Sequence, residues 1–142
     1  MQAYATDKIR NVILLSHGGA GKTSLAEAML FTAGAVTRQG RIEDGTTTSD
    51  YEPEEVKRRS SVQCALLPCE WTGLKINVLD TPGYLDFGGE VKACLRAADA
   101  AVILGDAAVG VEVGTEMVWK YAEELGLPRF VVVNKMDREN AD

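Results

Sequence analysis

Residues 9–23 read IRNVILLSHGGAGKT. Residues 9–15 are short, apolar and β-branched at their centre, the pattern of a buried strand. Residues 16–21 (SHGGAG) form a glycine-rich turn. From Lys22 to residue 32, Leu25, Ala28, Met29 and Thr32 recur at spacings of three and four, which predicts a helix that Gly34 stops. A strand, a turn closing on Gly-Lys-Thr and a helix together make a phosphate-binding loop in its required context. Gly-Lys-Ser/Thr alone arises by chance in roughly one chain in fifteen at average residue usage, so the flanking elements carry the reading.

The physical reason lies in the backbone. Glycines let successive N–H groups converge on phosphate oxygens, and the new helix points its N-terminal amides and dipole at the same anion. The cradle is expected to run through His17, Gly18, Gly19, Ala20, Gly21, Lys22, Thr23 and Ser24. Lys22 supplies a point charge to the β- and γ-phosphates, and the Thr23 hydroxyl is offered to Mg2+. Ser16 stands where the loop usually has its first glycine. His17, the single histidine of the chain, reads as a loop residue shaping the cradle, with a catalytic part as the alternative.

Further along, residues 35–60 are polar and without period, an unusually long unstructured connection. Residues 61–71 and 74–79 flank Thr72-Gly73 and read as an antiparallel hairpin. Asp80-Thr81-Pro82-Gly83 follows directly. A carboxylate at Asp80, at the end of a strand, can hold magnesium through water, and Gly83 lets its own N–H approach a γ-phosphate. Ser61 either completes the magnesium shell or is an edge-strand serine. A mobile-looking stretch reaches residue 89, then helices are expected at 90–98 and 115–125 and strands at 100–104 and 130–133. Asn134-Lys135-Met136-Asp137 closes the series. The Asp137 carboxylate can accept two hydrogen bonds from guanine N1–H and the 2-amino group, a donor pair that adenine lacks. Asn134 can bridge back to the phosphate loop, and the Lys135 stem can lie over the purine.

Apolar strands alternating with helices predict an α/β fold: a mostly parallel sheet with one antiparallel edge strand and helices on both faces. The motifs fall at the C-terminal ends of strands, where open α/β sheets bind ligands. The 142 residues suit one domain, residues 1–142, with 46% hydrophobic residues. Fifteen basic against 21 acidic residues leave a formal charge of −6, which disfavours a broad DNA-coating surface. Residues 1–8 carry no apolar leader, and no run approaches the ~20 apolar residues of a membrane span. Cys64, Cys69 and Cys94 form no CxxC pair and read as free thiols of a reducing compartment.

These residues resemble a known family, the GTP-binding (G) domain of translational GTPases, and most of all elongation factor G and its paralogues. The resemblance covers nearly the whole chain and is strongest in SHGGAGKTSLAEAML (16–30), NVLDTPGYLDFGGEV (77–91) and GDAAVGVEVGTEMVWKYAEELGLPRFVVVNKMD (105–137). It implies the P-loop NTPase fold, GTP/GDP and Mg2+ as ligands, GTP hydrolysis, the ribosome as partner, a cytoplasmic location, and further domains. It also implies that this chain lacks the last strand and helix of a complete G domain, leaving strand 130–133 with an open edge. Lys22, Thr23, Asp80, Gly83, Asn134, Lys135 and Asp137 match the family pattern. Three places depart from it. Gly19 stands where the family has an acid, Arg58-Arg59-Ser60-Ser61 stands for Arg-Gly-Ile-Thr, and Tyr84 stands for the histidine after DTPG that orients the attacking water. A phenol cannot become cationic beside a developing phosphoryl charge, as imidazole can, so hydrolysis is expected to be slow. Two other readings compete: a nucleotide-dependent binding module with little hydrolysis, and a partitioning-type ATPase, whose signature lysine His17 replaces.

Overall fold

A computed structural model describes residues 3–141; the first two residues of the 1–8 stretch, and Asp142, lie outside the described residues. The elements are β1 (Ile9–Leu15), α1 (Lys22–Thr32), α2 (Pro53–Arg58), β2 (Ala65–Trp71), β3 (Leu74–Asp80), α3 (Gly88–Leu95), β4 (Ala100–Asp106), α4 (Val113–Glu124) and β5 (Arg129–Asn134). They build one five-stranded sheet in the order β2-β3-β1-β4-β5. β1 pairs in parallel with β3 and β4, β4 in parallel with β5, and β2 is the antiparallel edge strand. Thr72 and Gly73, both at positive φ, make the tight turn that joins β2 to β3 with the right twist.

The period-two alternation of the strands sorts the core onto two faces. Ile13 and Leu15 of β1, Leu79 of β3 and Ile103 of β4 pack with Val91 and Leu95 of α3 and Val118 and Ala122 of α4. Leu14, Val78, Leu67 and Leu104 point the other way and pack with Ala26 and Leu30 of α1. The helix end expected at Gly34 is found there, and Gly126 ends α4 in the same way: the two sit at φ +69° and +63°, and the following N–H groups return to Leu30 and Ala122, satisfying the last carbonyls.

Three expectations need correction. The 35–60 stretch holds a helix, α2, started by Pro53 and by a reciprocal cap between Glu52 and Glu55; a one-and-a-half-turn helix is too short to show a period. β2 starts at Ala65, not at residue 61, because 61–63 are held by Asp50 and Glu55 side chains instead of a neighbouring strand. The 84–89 stretch contains a 3-10 turn, Leu85–Phe87, and α3 begins at Gly88. The face α1 buries is Lys22, Thr23, Ala26, Glu27 and Leu30. Leu25, Ala28 and Met29 are only half-buried and line a shallow apolar groove beside β2 and β3. Three of the buried residues on this face, Lys22, Thr23 and Glu27, are polar and serve the loops, not the core.

Among the described residues β5 pairs with β4 alone, and Phe130, Val131 and Val133 are exposed by 66%, 54% and 54%. An open apolar strand edge is a template for association. The isolated chain should therefore self-associate with rising concentration in sedimentation velocity runs, and Val131→Lys with Val133→Lys should weaken that association by at least about tenfold without moving the thermal midpoint by more than a few degrees.

Candidate functional site: a phosphate cradle joined to a base-recognition loop

Strand register brings the motifs to one edge. Leu14 lies opposite Asp80, Leu15 opposite Ile103, and Asp106 opposite Asn134, so the loops after β1, β3, β4 and β5 all open at the C-terminal rim of the parallel strands. A cavity of about 310 Å³ opens there, lined among others by Gly18, Gly19, Lys22, Thr23, Ser24, Ser61, Gly83 and Lys135.

The phosphate loop turns through left-handed conformations at Gly19 (φ +85°) and Gly21 (φ +100°), which side-chain-bearing residues adopt at a cost. A Cβ on Gly21 would overlap Asn134 Nδ2, and one on Gly83 would lie 2.5 Å from Lys22 Nζ and 2.8 Å from Gly18 Cα. These glycines are bare because other loops press against them. The Lys22 ammonium donates to Ser16 Oγ at 2.8 Å, and that hydroxyl donates to the His17 carbonyl at 2.6 Å. The serine in the usual glycine place therefore gives Lys22 a partner.

Behind the lysine lies a cluster of oxygens. Thr23 Oγ1 donates to Asp80 Oδ2 at 2.8 Å and lies 3.3 Å from Ser61 Oγ, which donates to Asp50 Oδ1 at 2.6 Å. Asp80 Oδ1 and Ser49 Oγ are buried without a well-formed hydrogen bond, although the Ser49 hydroxyl lies close enough to Asp80 to favour its ionised form. Ser61 lies outside β2, which starts at Ala65, and its hydroxyl meets Thr23 and Asp50. An all-oxygen set of two hydroxyls and two carboxylates, with a buried carboxylate oxygen still without a well-formed hydrogen bond, fits a hard divalent cation such as Mg2+. Thr81 Oγ1 fixes the DTPG turn by donating to the Leu14 carbonyl at 2.6 Å. Tyr84 is 54% exposed, and its ring lies over Gly18, 3.4 Å from where a Cβ would stand.

The base loop is tied to the cradle. Asn134 Nδ2 donates to the Ala20 carbonyl at 2.9 Å, and Lys135 Nζ donates to the Gly19 carbonyl and to Asp106 Oδ2, both at 2.6 Å. Asp137 is exposed and its carboxylate has no partner among the described residues. His17 sits at the far side of the loop, its Nε2 3.5 Å from Glu112 Oε1. Gly114 leaves room for its ring, since a Cβ there would be 2.6 Å from His17 Nδ1.

Several participants escaped sequence reading. Asp50 and Asp106 belong to no motif. Glu27, fully buried on α1, accepts hydrogen bonds from the Gly40 and Thr48 amides and so pins the polar 35–60 stretch to the P-loop helix. Glu55 does the same at the far end, accepting from Val62 and Gln63 at 2.9 and 3.0 Å. The available signal was weak but physical. Glu27 lies one turn beyond Thr23, on the face that points toward the phosphates.

Burial pushes every titrating group of the cluster toward its neutral form. It lowers Lys22 to about 8, against the pull of Asp80 and Asp50. It raises Asp80 to about 6, against the Thr23 hydrogen bond and the Lys22 charge, and it raises Asp50 as well. Asp106 is held below the ordinary carboxylate range, first by the hydrogen bond from Lys135.

Comparison with known proteins agrees with this geometry. The family model for the elongation factor Tu GTP binding domain matches residues 7–142. The chain is 44% identical over its full length to an elongation factor G 2 of Streptomyces coelicolor, covering 21% of that protein. It is 45% identical over 99% of its length to a mitochondrial ribosome-releasing factor 2 of Debaryomyces hansenii, covering 16% of it. A crystal structure from Thermus thermophilus superposes with a TM-score of 0.92 at 50% identity, over 95% of this chain and 20% of that one. The chain thus spans about a fifth of the length of these relatives. Among the described residues no helix is long and apolar enough to cross a membrane, and Cys64, Cys69 and Cys94 are free thiols.

The Lys22 displacement has a consequence for stability. Its folded value of about 8 lies below its ordinary 10.5, so the folded chain binds fewer protons than the unfolded chain between those limits. Stability from this group rises as pH climbs from 8 toward 10.5, and its full cost is present below 8. Lys22→Met should raise the ligand-free thermal midpoint at pH 7, by the equivalent of about 1–3 kcal/mol. In calorimetry the gain should shrink toward zero near pH 10.5.

Proposed function

Because the chain belongs to the elongation factor Tu GTP binding domain family, we propose that it binds GTP and GDP with Mg2+ and that it is the nucleotide-hydrolysing domain of a longer elongation factor G-like protein acting on the ribosome. The observation that carries this reading is the join between the two loops. Asn134 and Lys135 bond to the Ala20 and Gly19 carbonyls, so cradle and base loop form one unit, while Asp137 is left free to meet a purine.

In this reading the amides from Gly18 to Ser24 hold the α- and β-phosphates, Lys22 leaves Ser16 for the β- and γ-phosphates, and Asp137 accepts from guanine. Thr23, Ser61 and Asp80, with Asp50 behind them, would hold Mg2+, which when bound neutralises phosphate charge. The Gly83 amide lies beside Gly18, where it meets a γ-phosphate. Tyr84 stands over Gly18 at the same end. Its hydroxyl can orient water but cannot take a positive charge, which supports slow turnover and gives the reading of a largely non-hydrolysing module its one favourable observation. A partitioning-type ATPase is disfavoured by Asp137, which would be desolvated and unpaired against adenine. The names of the relatives support a ribosomal role, and their greater length supports further domains in the parent protein; a cytoplasmic setting is the expectation, with one of these relatives named as mitochondrial.

Competition for a fluorescent GDP analogue tests the binding claim. GTP should displace it at least about 100-fold better than ATP, and Asp137→Ala should erase that preference; equal displacement by ATP in the wild type would sink it. For catalysis, Tyr84→His in the parent protein should raise ribosome-stimulated GTP turnover by at least about tenfold, on the usual 10²–10⁴-fold scale of general acid–base assistance. An unchanged rate would show that Tyr84 does not limit hydrolysis.

A further inference from the structure

Four cations line the nucleotide cavity: Lys22, Arg59, Lys135 and Arg138. Three have partners. Lys22 donates to Ser16, Lys135 to Gly19 and Asp106, and Arg138 lies 3.8 Å from Asp106. Arg59 has no ion pair or side-chain hydrogen bond among the described residues, whereas its neighbour Arg58 is paired with Glu54. Glu43, exposed on the rim, and Asp50, already bonded to Ser61, are the acids that share the cavity with it.

The backbone at Arg59 is unusual too. It closes α2 at φ 55° and ψ 41°, a left-handed conformation that glycine adopts freely and an arginine does not. The turn is held from both sides: the Ser60 amide returns to the Glu55 carbonyl at 3.1 Å, and the buried Glu55 carboxylate accepts from Val62 and Gln63. This turn fixes where the arginine starts. Two residues on, Ser61 reaches Thr23, and the exposed Arg59 lines the same cavity as Ser61, Gly83 and Tyr84, a cavity whose lining does not include Asp137.

We propose that Arg59 binds the terminal phosphate of a nucleoside triphosphate in this cavity, supplying in cis a guanidinium that favours the triphosphate over the diphosphate and assists its cleavage. The inference rests on the nucleotide-binding reading above. In the cleavage the water oxygen forms the new bond to the γ-phosphorus and the bond to the β–γ bridging oxygen breaks. Its electron pair stays on the departing diphosphate, and the proton of the water passes to the released phosphate. Arg59, placed at the γ-phosphate, donates to oxygens on which charge rearranges in that step. A fork of N–H donors suits phosphate better than a point charge, which compensates in part for a neutral phenol at Tyr84.

Arg59→Gly is the informative variant, because it keeps the left-handed turn and relieves its strain while removing the guanidinium. Affinities for GDP and for a non-hydrolysable GTP analogue, both with Mg2+, and single-turnover GTP cleavage without ribosomes are measured on wild type, Arg59→Gly and Arg59→Lys. GDP affinity should stay within about twofold, triphosphate affinity should fall about 10–100-fold, and cleavage should slow at least as much. Arg59→Lys should recover affinity only in part. Unchanged triphosphate affinity and cleavage in Arg59→Gly overturn the proposal, as does a parallel loss of GDP and GTP binding, which marks a structural role. A wild-type chain that binds no guanine nucleotide overturns the underlying reading and this one with it, whereas normal GDP binding with an indifferent Arg59 overturns this one alone.

Discussion

The loop after β1 and the loop after β5 touch so closely that no Cβ fits at Gly21 without overlapping Asn134, and most features of the site depend on that contact. Two hydrogen bonds hold it, from Asn134 to Ala20 and from Lys135 to Gly19. Both consume main-chain carbonyls of the phosphate loop, which leaves that loop's amides turned the other way, toward the cavity. A third loop completes the arrangement. Asp106 at the end of β4 anchors Lys135 and so fixes the side chain that spans cradle and base loop. The parallel register of β1, β4 and β5 puts all three at one rim, so sheet topology, not local sequence, sets the distance between phosphate and base recognition.

The same register makes the ligand-free site an uneasy one. Lys22, Asp80 and Asp50 are buried together, and desolvation works against the charge on each. The attraction between Lys22 and the two carboxylates recovers part of that cost, while Asp50 and Asp80 repel each other. An anion at the amides and a cation at Asp80 Oδ1 would restore the charged forms. Glu27 and Glu55 extend this coupling outward. Each is almost fully buried and is held by backbone N–H groups alone. Through them the segment carrying Asp50 and Ser61 is bolted to α1 at one end and to the residues leading into β2 at the other.

How much of this was legible in the sequence follows from the kind of physics involved. β1, the P-loop and α1 could be read because local chemistry dictates them: a β-branched run, glycines at positive φ and a helix stop at Gly34. The hairpin was legible from Thr72-Gly73, and the base loop from four consecutive residues. Asp50, Asp106, Glu27 and Glu55 were not, because each acts on a partner at least seven positions away in a pairing that no motif records. α2 was hidden by its length. The buried face of α1 could not be read from apolar spacing, because Lys22, Thr23 and Glu27 are buried for what they hold, and a hydrophobic period counts only what is apolar. Tyr84 and Arg58-Arg59-Ser60-Ser61 were visible as departures from a family pattern; the position of Tyr84 against Gly18, and of Arg59, Ser60 and Ser61 along the cavity wall, came from the fold.

The central claim is that one set of loops grips phosphate by main-chain amides and guanine by Asp137 at the same time. The most direct measurement is a crystal structure of the chain grown with GDP and Mg2+. The account predicts the β-phosphate ringed by the amides from Gly19 to Thr23 at ordinary hydrogen-bond distances of about 2.7–3.2 Å, with the Asp137 carboxylate meeting the guanine N1 and 2-amino groups. A structure with the loop vacant, or with the purine seated away from Asp137 while the phosphates are held, would contradict it.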